Sequence, residues 1–166
     1  MSPRLFRVVA LVSLAAAGFW GWRLFFPSPE KIIRQRLAEI AVAASITPNE
    51  APLTRLAKTQ RLGSLLTADA QVSLDLPGRT SQHLNGRDEI QQAVMYARSV
   101  MSSMTIKFLD ITVSVSADKR AAVAHLTATA DMPGEKLPEV QELEVSFARV
   151  DRDWLIQRVD SVKTLR

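Results

Sequence analysis

The stretch SQHLNGRDEIQQAV, residues 81–94, sets His83 close to Asp88 and Glu89. A histidine beside two carboxylates is the equipment of general acid–base catalysis, which needs groups that exchange protons near neutral pH. The same residues also have a structural account. The stretch lies between a run that reads as strand and one that reads as helix, with Asn85 or Gly86 as a natural N-cap. Asp88 and Glu89 then fill the first turn, where negative charge meets the positive end of the helix dipole. No other feature of the sequence supports catalysis here, so the two acids are read as helix-starting residues.

His125, in AAVAHLTATA, shares a strand face with Val123, Thr127 and Thr129, which would line a cavity with one titratable ring and two hydroxyls. The plainer reading is a half-buried sheet histidine. Asp75 is the other candidate base. His83 falls in the loop before the third helix, near the expected cavity rim, and joins His125, Thr127 and Tyr96, the sole tyrosine, as candidate ligand contacts. Arg158 and Asp160, at matching parity on the last strand, form either a polar pocket floor or a solvent-facing pair. With two histidines, no cysteine and no HxH or HExxH, a metal site is unsupported. No Gly-rich phosphate loop or nucleophile elbow is present, so no cofactor is expected.

Helices and strands must position these groups. Ser28, Pro29 and Glu30 read as N-cap, first helical residue and dipole-facing acid of a helix whose apolar stripe is Ile33, Leu37, Ile40, Ala41 and Ala44. ITPNEAP breaks it. A second helix, from about Leu53 to Leu66, carries Leu53, Leu56 and Ala57 on one side, and its stripe shifts near Gly63. AQVSLDLPG is a short strand stopped by Pro77-Gly78. After the third helix, with Ile90, Val94, Ala97, Met101 and Met104 in its repeat, the period changes to two. Leu109, Ile111, Val113 and Val115 alternate with more polar neighbours, SADKR turns the chain, and EVQELEVSFARV-DRD-WLIQRVDSV repeats the hairpin. The fold class is α+β, with helices on one face of a bent, mainly antiparallel sheet.

The N-terminus is of another kind. From Leu5 to Phe26 runs a 22-residue apolar segment interrupted only by Arg7 and Arg23 near its ends, long enough to cross about 30 Å of hydrocarbon. Arg4 and Arg7 favour a cytoplasmic N-terminal stub, and Trp20 and Trp22 suit the interface. Residues 1–27 are therefore read as a transmembrane anchor and 28–166 as one extracytoplasmic domain. A signal peptide cleaved after Ala17, a cytoplasmic orientation and a buried soluble helix are the alternatives, the last disfavoured because nothing else in the chain is apolar enough to surround it. Arg4, Arg7 and Arg23 carry three of the four net positive charges. What remains has no basic stripe interleaved with aromatics, so a nucleic-acid partner is not expected.

In their order, two helices, LLTADAQVSLD, LNGRDEI opening a third helix, the VSADKRAAVAHLTATA hairpin and FARVDRDWLIQRVDSV resemble the nuclear transport factor 2-like superfamily, over about residues 29–166. That superfamily includes ketosteroid isomerases, scytalone dehydratase and polyketide cyclases. The resemblance implies a cone, a curved sheet wrapped around helices, with a cavity that is open or plugged. In the steroid isomerases a base aspartate sits on the first strand, and an ungapped match puts Leu74 there and Asp75 one place late. A one-residue offset turns a strand side chain to the opposite face. The isomerases' tyrosine, on the first helix, also has no counterpart, since Tyr96 lies on the third. The expected function is a membrane-anchored, non-catalytic binding or assembly module, with the bilayer, a second copy or a membrane-complex partner, and a small apolar molecule as partners. The alternative is an isomerase-, dehydratase- or cyclase-type enzyme with His125 or Asp75 as base.

Overall fold

Helix α1 (Pro29–Ala44) begins as the sequence predicts: the Ser28 hydroxyl accepts from the Lys31 N–H at 3.4 Å, with Pro29 and Glu30 in the first turn. The computed structural model describes residues 28–75, 81–135 and 137–162, so the apolar segment 5–26 and the Pro77-Gly78 break lie outside the described residues. Among the described residues no helix is long and apolar enough to cross a membrane. The buried face of α1 is Ile33, Leu37, Ile40 and Ala43, with Ala43 taking the place expected for Ala41 and Ala44.

Helix α2 (Pro52–Ser64) is turned the other way from the expectation. Leu53 and Leu56 are exposed, while Thr59, Leu62 and Gly63 are buried. The cause lies at Gly63, where a Cβ would stand 2.1 Å from Nε2 of Gln91 on helix α3 (Arg87–Val100). The two helices cross at a missing side chain, and that crossing outweighs the apolar spacing of α2. Helix α3 starts at Gly86, whose φ of 89° suits a residue without a Cβ. Glu89 Oε2 accepts from the Asn85 N–H at 2.8 Å, so this acid works at the helix start.

Six strands form one mixed, curved sheet: β1 (Leu66–Leu74), β2 (Gln82–Asn85), β3 (Thr105–Val115), β4 (Ala121–Asp131), β5 (Glu139–Val150) and β6 (Asp153–Ser161), in the order β2-β1-β6-β5-β4-β3. Strands β3 to β6 are the meander that the alternation predicts, and β2 pairs antiparallel with β1. The pairing of β1 with β6 is parallel, which makes the sheet mixed. Two expectations change here. Strand β1 starts at Leu66, where the second helix was expected to end, and His83 lies on the edge strand β2 rather than in a loop.

Helix-facing positions along the sheet are apolar: Ala122, Ala124 and Leu126 on β4, Leu143, Val145 and Phe147 on β5, Trp154 and Ile156 on β6. Trp154, Phe147, Leu126, Ile33, Leu37 and Leu65 are each less than 2% exposed or at that limit, so the space between helices and sheet is filled around them. Strand β3 holds a surprise of parity. Leu109, expected to share a face with Ile111, is 48% exposed and pairs with Thr127, whereas Ile111 and Val113 face the core. The register shifts between Leu109 and Thr112, around Asp110 at φ 50°, a bulge that adds one residue and exchanges the faces. A β-branched residue tolerates that conformation badly. Asp110→Val is expected to lower stability by about 1 to 3 kcal/mol in urea titration while Asp110→Gly does not.

Candidate functional site

Because opposite residues of paired strands share a face, the register can be followed across the whole sheet. Thr112 faces His125, His125 faces Glu144, Glu144 faces Asp160, Asp160 aligns with Ser73, and Ser73 faces His83. One transverse row on the face away from the helices thus holds both histidines and two carboxylates. Its members pair with their neighbours: His125 Nδ1 lies 3.7 Å from Glu144 Oε2, His83 Nδ1 lies 3.1 Å from Ser73 Oγ, and Arg158 Nε is 2.7 Å from Asp160 Oδ2. The flanking positions are also largely polar. Thr127 Oγ1 donates to Glu142 Oε1 at 2.9 Å, and Asp69, Gln71, Ser146, Gln157 and Arg158 line a hollow of about 300 Å³.

This row sets a limit on chemistry. Four strand spacings separate His125 from His83, about 19 Å, so the two rings do not act on one small substrate. His125 and Glu144 have side chains 57% and 41% exposed, and their separation is longer than a hydrogen bond. A base standing in open water on a sheet face lacks the enclosure that gives electrostatic catalysis its strength.

A second concavity lies between α1 and α2. It is a groove of about 540 Å³, lined by small side chains including Ala38, Ala43, Thr54 and Ala57, with Val42 at its mouth. Its charged rim is already paired, Arg61 with Glu39 at 2.6 Å and Lys58 with Glu50 at 2.5 Å.

Glu50 belongs to the deepest titratable cluster among the described residues, and no spacing in the sequence announced it. Its side chain and that of Arg98 are each 2% exposed, with Arg98 Nη1 2.8 Å from Glu50 Oε2. The other carboxylate oxygen accepts from Lys58 and, at 2.9 Å, from Thr47 Oγ1. Arg98 also donates to the carbonyls of Ala43 and Ser45, which are orphan acceptors at the end of α1. Burial pushes the Glu50 carboxyl up, but the hydrogen bonds from Lys58 and Thr47 and the charges of Lys58 and Arg98 prevail and hold it below the ordinary carboxylate range. With both oxygens engaged, the group is a brace joining α1, α2 and α3 and not a free base.

The remaining candidates are dispersed. Leu74, at the position where the resemblance would put a base, packs against the core; the backbone N–H of Asp75 donates to Ser161 Oγ at 2.8 Å, at the end of β1. Tyr96 is 70% exposed on α3. His125 and Thr127 share a strand face as expected, but it is the face opposite the helices, so the cavity-lining arrangement drawn for them from the sequence is replaced by a solvent-facing one.

No protein-family model matches this chain, and no curated protein matches it in sequence. Solved structures do match. A nuclear transport factor 2-like protein of unknown function from Pseudomonas putida KT2440 superimposes with a TM-score of 0.63 at 13% identity, over 82% of this chain and 87% of that one. A nuclear transport factor 2-like protein with a cystatin-like fold from Novosphingobium aromaticivorans gives 0.62 at 17% identity, over 86% of each chain. A scytalone dehydratase-like protein from the same organism gives 0.57 at 14% identity, over 81% of this chain and 83% of that one. At such identities the likeness shows the fold: three helices on a mixed curved sheet in the nuclear transport factor 2-like cone.

Proposed function

We propose that this chain is a membrane-anchored, non-catalytic binding and assembly module, held by residues 5–26 at the outer face of the inner membrane and engaging a protein partner, a second copy included, through the outer face of its sheet. The observation that carries this reading is the division between the two sheet faces. Helix-facing positions along the middle of β4, β5 and β6 are alanine, leucine, valine, isoleucine, phenylalanine and tryptophan, while His125, Glu142, Glu144, Arg158 and Asp160 lie on the opposite face. Acid–base chemistry needs a titratable group within hydrogen-bond reach of an enclosed substrate. Leu109 and Val140, exposed at one end of this face, supply apolar contact beside a polar surround.

Full-length chain, crosslinked in native membranes and then purified in mild detergent, tests this. A photo-crosslinking residue at position 125 or 127 is expected to form discrete adducts in native membranes, and one at Tyr96 is not. Glu142→Lys combined with Glu144→Lys is expected to abolish those adducts, and any self-association seen by light scattering, with an unchanged circular dichroism spectrum. Turnover of an apolar substrate by the purified chain, lost in His125→Ala, would overturn the reading in favour of an enzyme.

A further inference from the structure

One end of the domain is basic, and the topology fixes which end it is. The Ser45 hydroxyl accepts from the Ile106 N–H at 3.0 Å and Ile46 bridges Met104, so the C-terminus of α1 sits at the start of β3. Arg36 Nη2 reaches Asp153 Oδ1 at 2.8 Å, at the start of β6. Helix α1 therefore runs away from the end of the sheet that carries the β3–β4 and β5–β6 turns, with its N-terminus towards that end. The Arg149 N–H donates to the Arg120 carbonyl at 2.8 Å and ties those turns together. The seven residues before Arg36 extend the helix about 10 Å further towards those turns.

Exposed at this end are Lys31 and Arg34 on α1, Lys119 and Arg120 in the first turn, and Arg149 and Arg152 at the second. Against these six cations stand Glu30, Asp118 and Asp151, with Arg36 and Asp153 neutralising each other. Residues 28–166 carry a net charge of only +1, so the excess of three at this end leaves the remainder of the domain negative. At the other end of the sheet lie Asp131 and Glu139, at the end of β4 and the start of β5, and between them the connection carries both Glu135 and Lys136.

We infer that the end formed by the α1 N-terminus and the two turns docks on anionic phospholipid headgroups of the membrane that holds the anchor. The inference rests on the anchoring reading, under which Pro27 and Ser28 are all that separate the apolar segment from α1. A link this short keeps the α1 N-terminus within a Debye length of the surface, about 10 Å at 0.1 M salt, where lysine and arginine are attracted to anionic lipid. Lys31 and Arg34, exposed on the first turns of α1, thereby acquire a role at the membrane surface.

The chain has no cysteine, so single-cysteine labelling is clean. Full-length Ala117→Cys and Leu137→Cys, each with a fluorophore, are reconstituted in phosphatidylcholine vesicles with or without phosphatidylglycerol and with a spin-labelled headgroup lipid as quencher. The probe at 117 is expected to be quenched about threefold more than that at 137 in anionic vesicles, with the difference falling at 0.5 M salt as screening shortens the reach. It is also expected to vanish in Lys119→Glu/Arg120→Glu/Arg152→Glu, whose circular dichroism is unchanged. Equal quenching at both positions in chains that co-float with vesicles overturns the docked end alone. Failure to co-float overturns the anchoring reading and the docking with it.

Discussion

Glu50→Gln is expected to destabilise the folded chain by about 3 to 5 kcal/mol at neutral pH, because it leaves Arg98 buried against a neutral amide. Arg98 cannot escape to water, since its side chain is 2% exposed, its Nη2 donates to the carbonyls of Ala43 and Ser45, and its Nε is buried without a hydrogen-bond acceptor. Lys58, 23% exposed at its side chain, can turn outward, so Lys58→Met is expected to have the smaller effect. The loss has a pH signature. The Glu50 carboxyl is held below its ordinary value of 4.5 in the folded chain, so its contribution is fully present above that value and is lost as pH falls through the lower, folded one. Wild type and Glu50→Gln should therefore differ most at neutral pH, and the part of the difference that comes from the lowered carboxyl is lost in acid. Urea titrations at a series of pH values measure this directly. A difference between the two proteins that stayed constant from pH 7 to pH 3 would show that the carboxylate charge is not what holds the brace.

Trp154→Ala is expected to cost about 3 to 5 kcal/mol, from lost transfer energy and from the cavity left behind. Trp154 is 1% exposed beside Phe147 and Ile156, and the Arg149 guanidinium lies 6.0 Å from its ring centroid. This loss involves no proton, so unlike that of Glu50→Gln it should persist across the same pH range. For a domain of this size a loss of 3 kcal/mol lowers the melting temperature by roughly 10 °C. The variant has a second use. A cavity opened between helices and sheet creates an apolar space in a cone that is otherwise filled there, and uptake of benzene by the variant but not by wild type would confirm that the filling side chain is what closes it.

The α+β class, the α1 cap, the start of α3 and the β3–β6 meander were legible because each depends on local chemistry: a hydroxyl before a proline, acids in a first turn, alternation with period two. What was not legible depends on contacts between distant segments. Leu53 and Leu56 look like a buried stripe, but Gly63 meets Gln91 and rotates that stripe into solvent. Leu109 continues the alternation of Ile111 and Val113 in sequence, and one residue with positive φ exchanges its face. His125 and Thr127 share one face of a strand as expected, yet which face met the helices was decided by Ala124 and Leu126, more apolar neighbours at the other parity. For Glu50 and Arg98, 48 residues apart, no spacing rule exists. A buried arginine inside an otherwise amphipathic helix is the nearest thing to a signal, since Arg98 falls four residues after Val94 on the apolar side of α3.

The parallel pairing of β1 with β6 also governs how the chain is made. Strand β1 ends at Leu74 and its partner ends at Ser161, so synthesis must add 87 further residues before the ladder closes. At ribosomal rates that interval is on the order of 10 s, during which Leu66, Ala70 and Val72 have emerged without the neighbour that covers them. Until then that edge of β1 stays open to pairing with other unfinished chains, and truncation before Asp153 would prolong the exposure indefinitely.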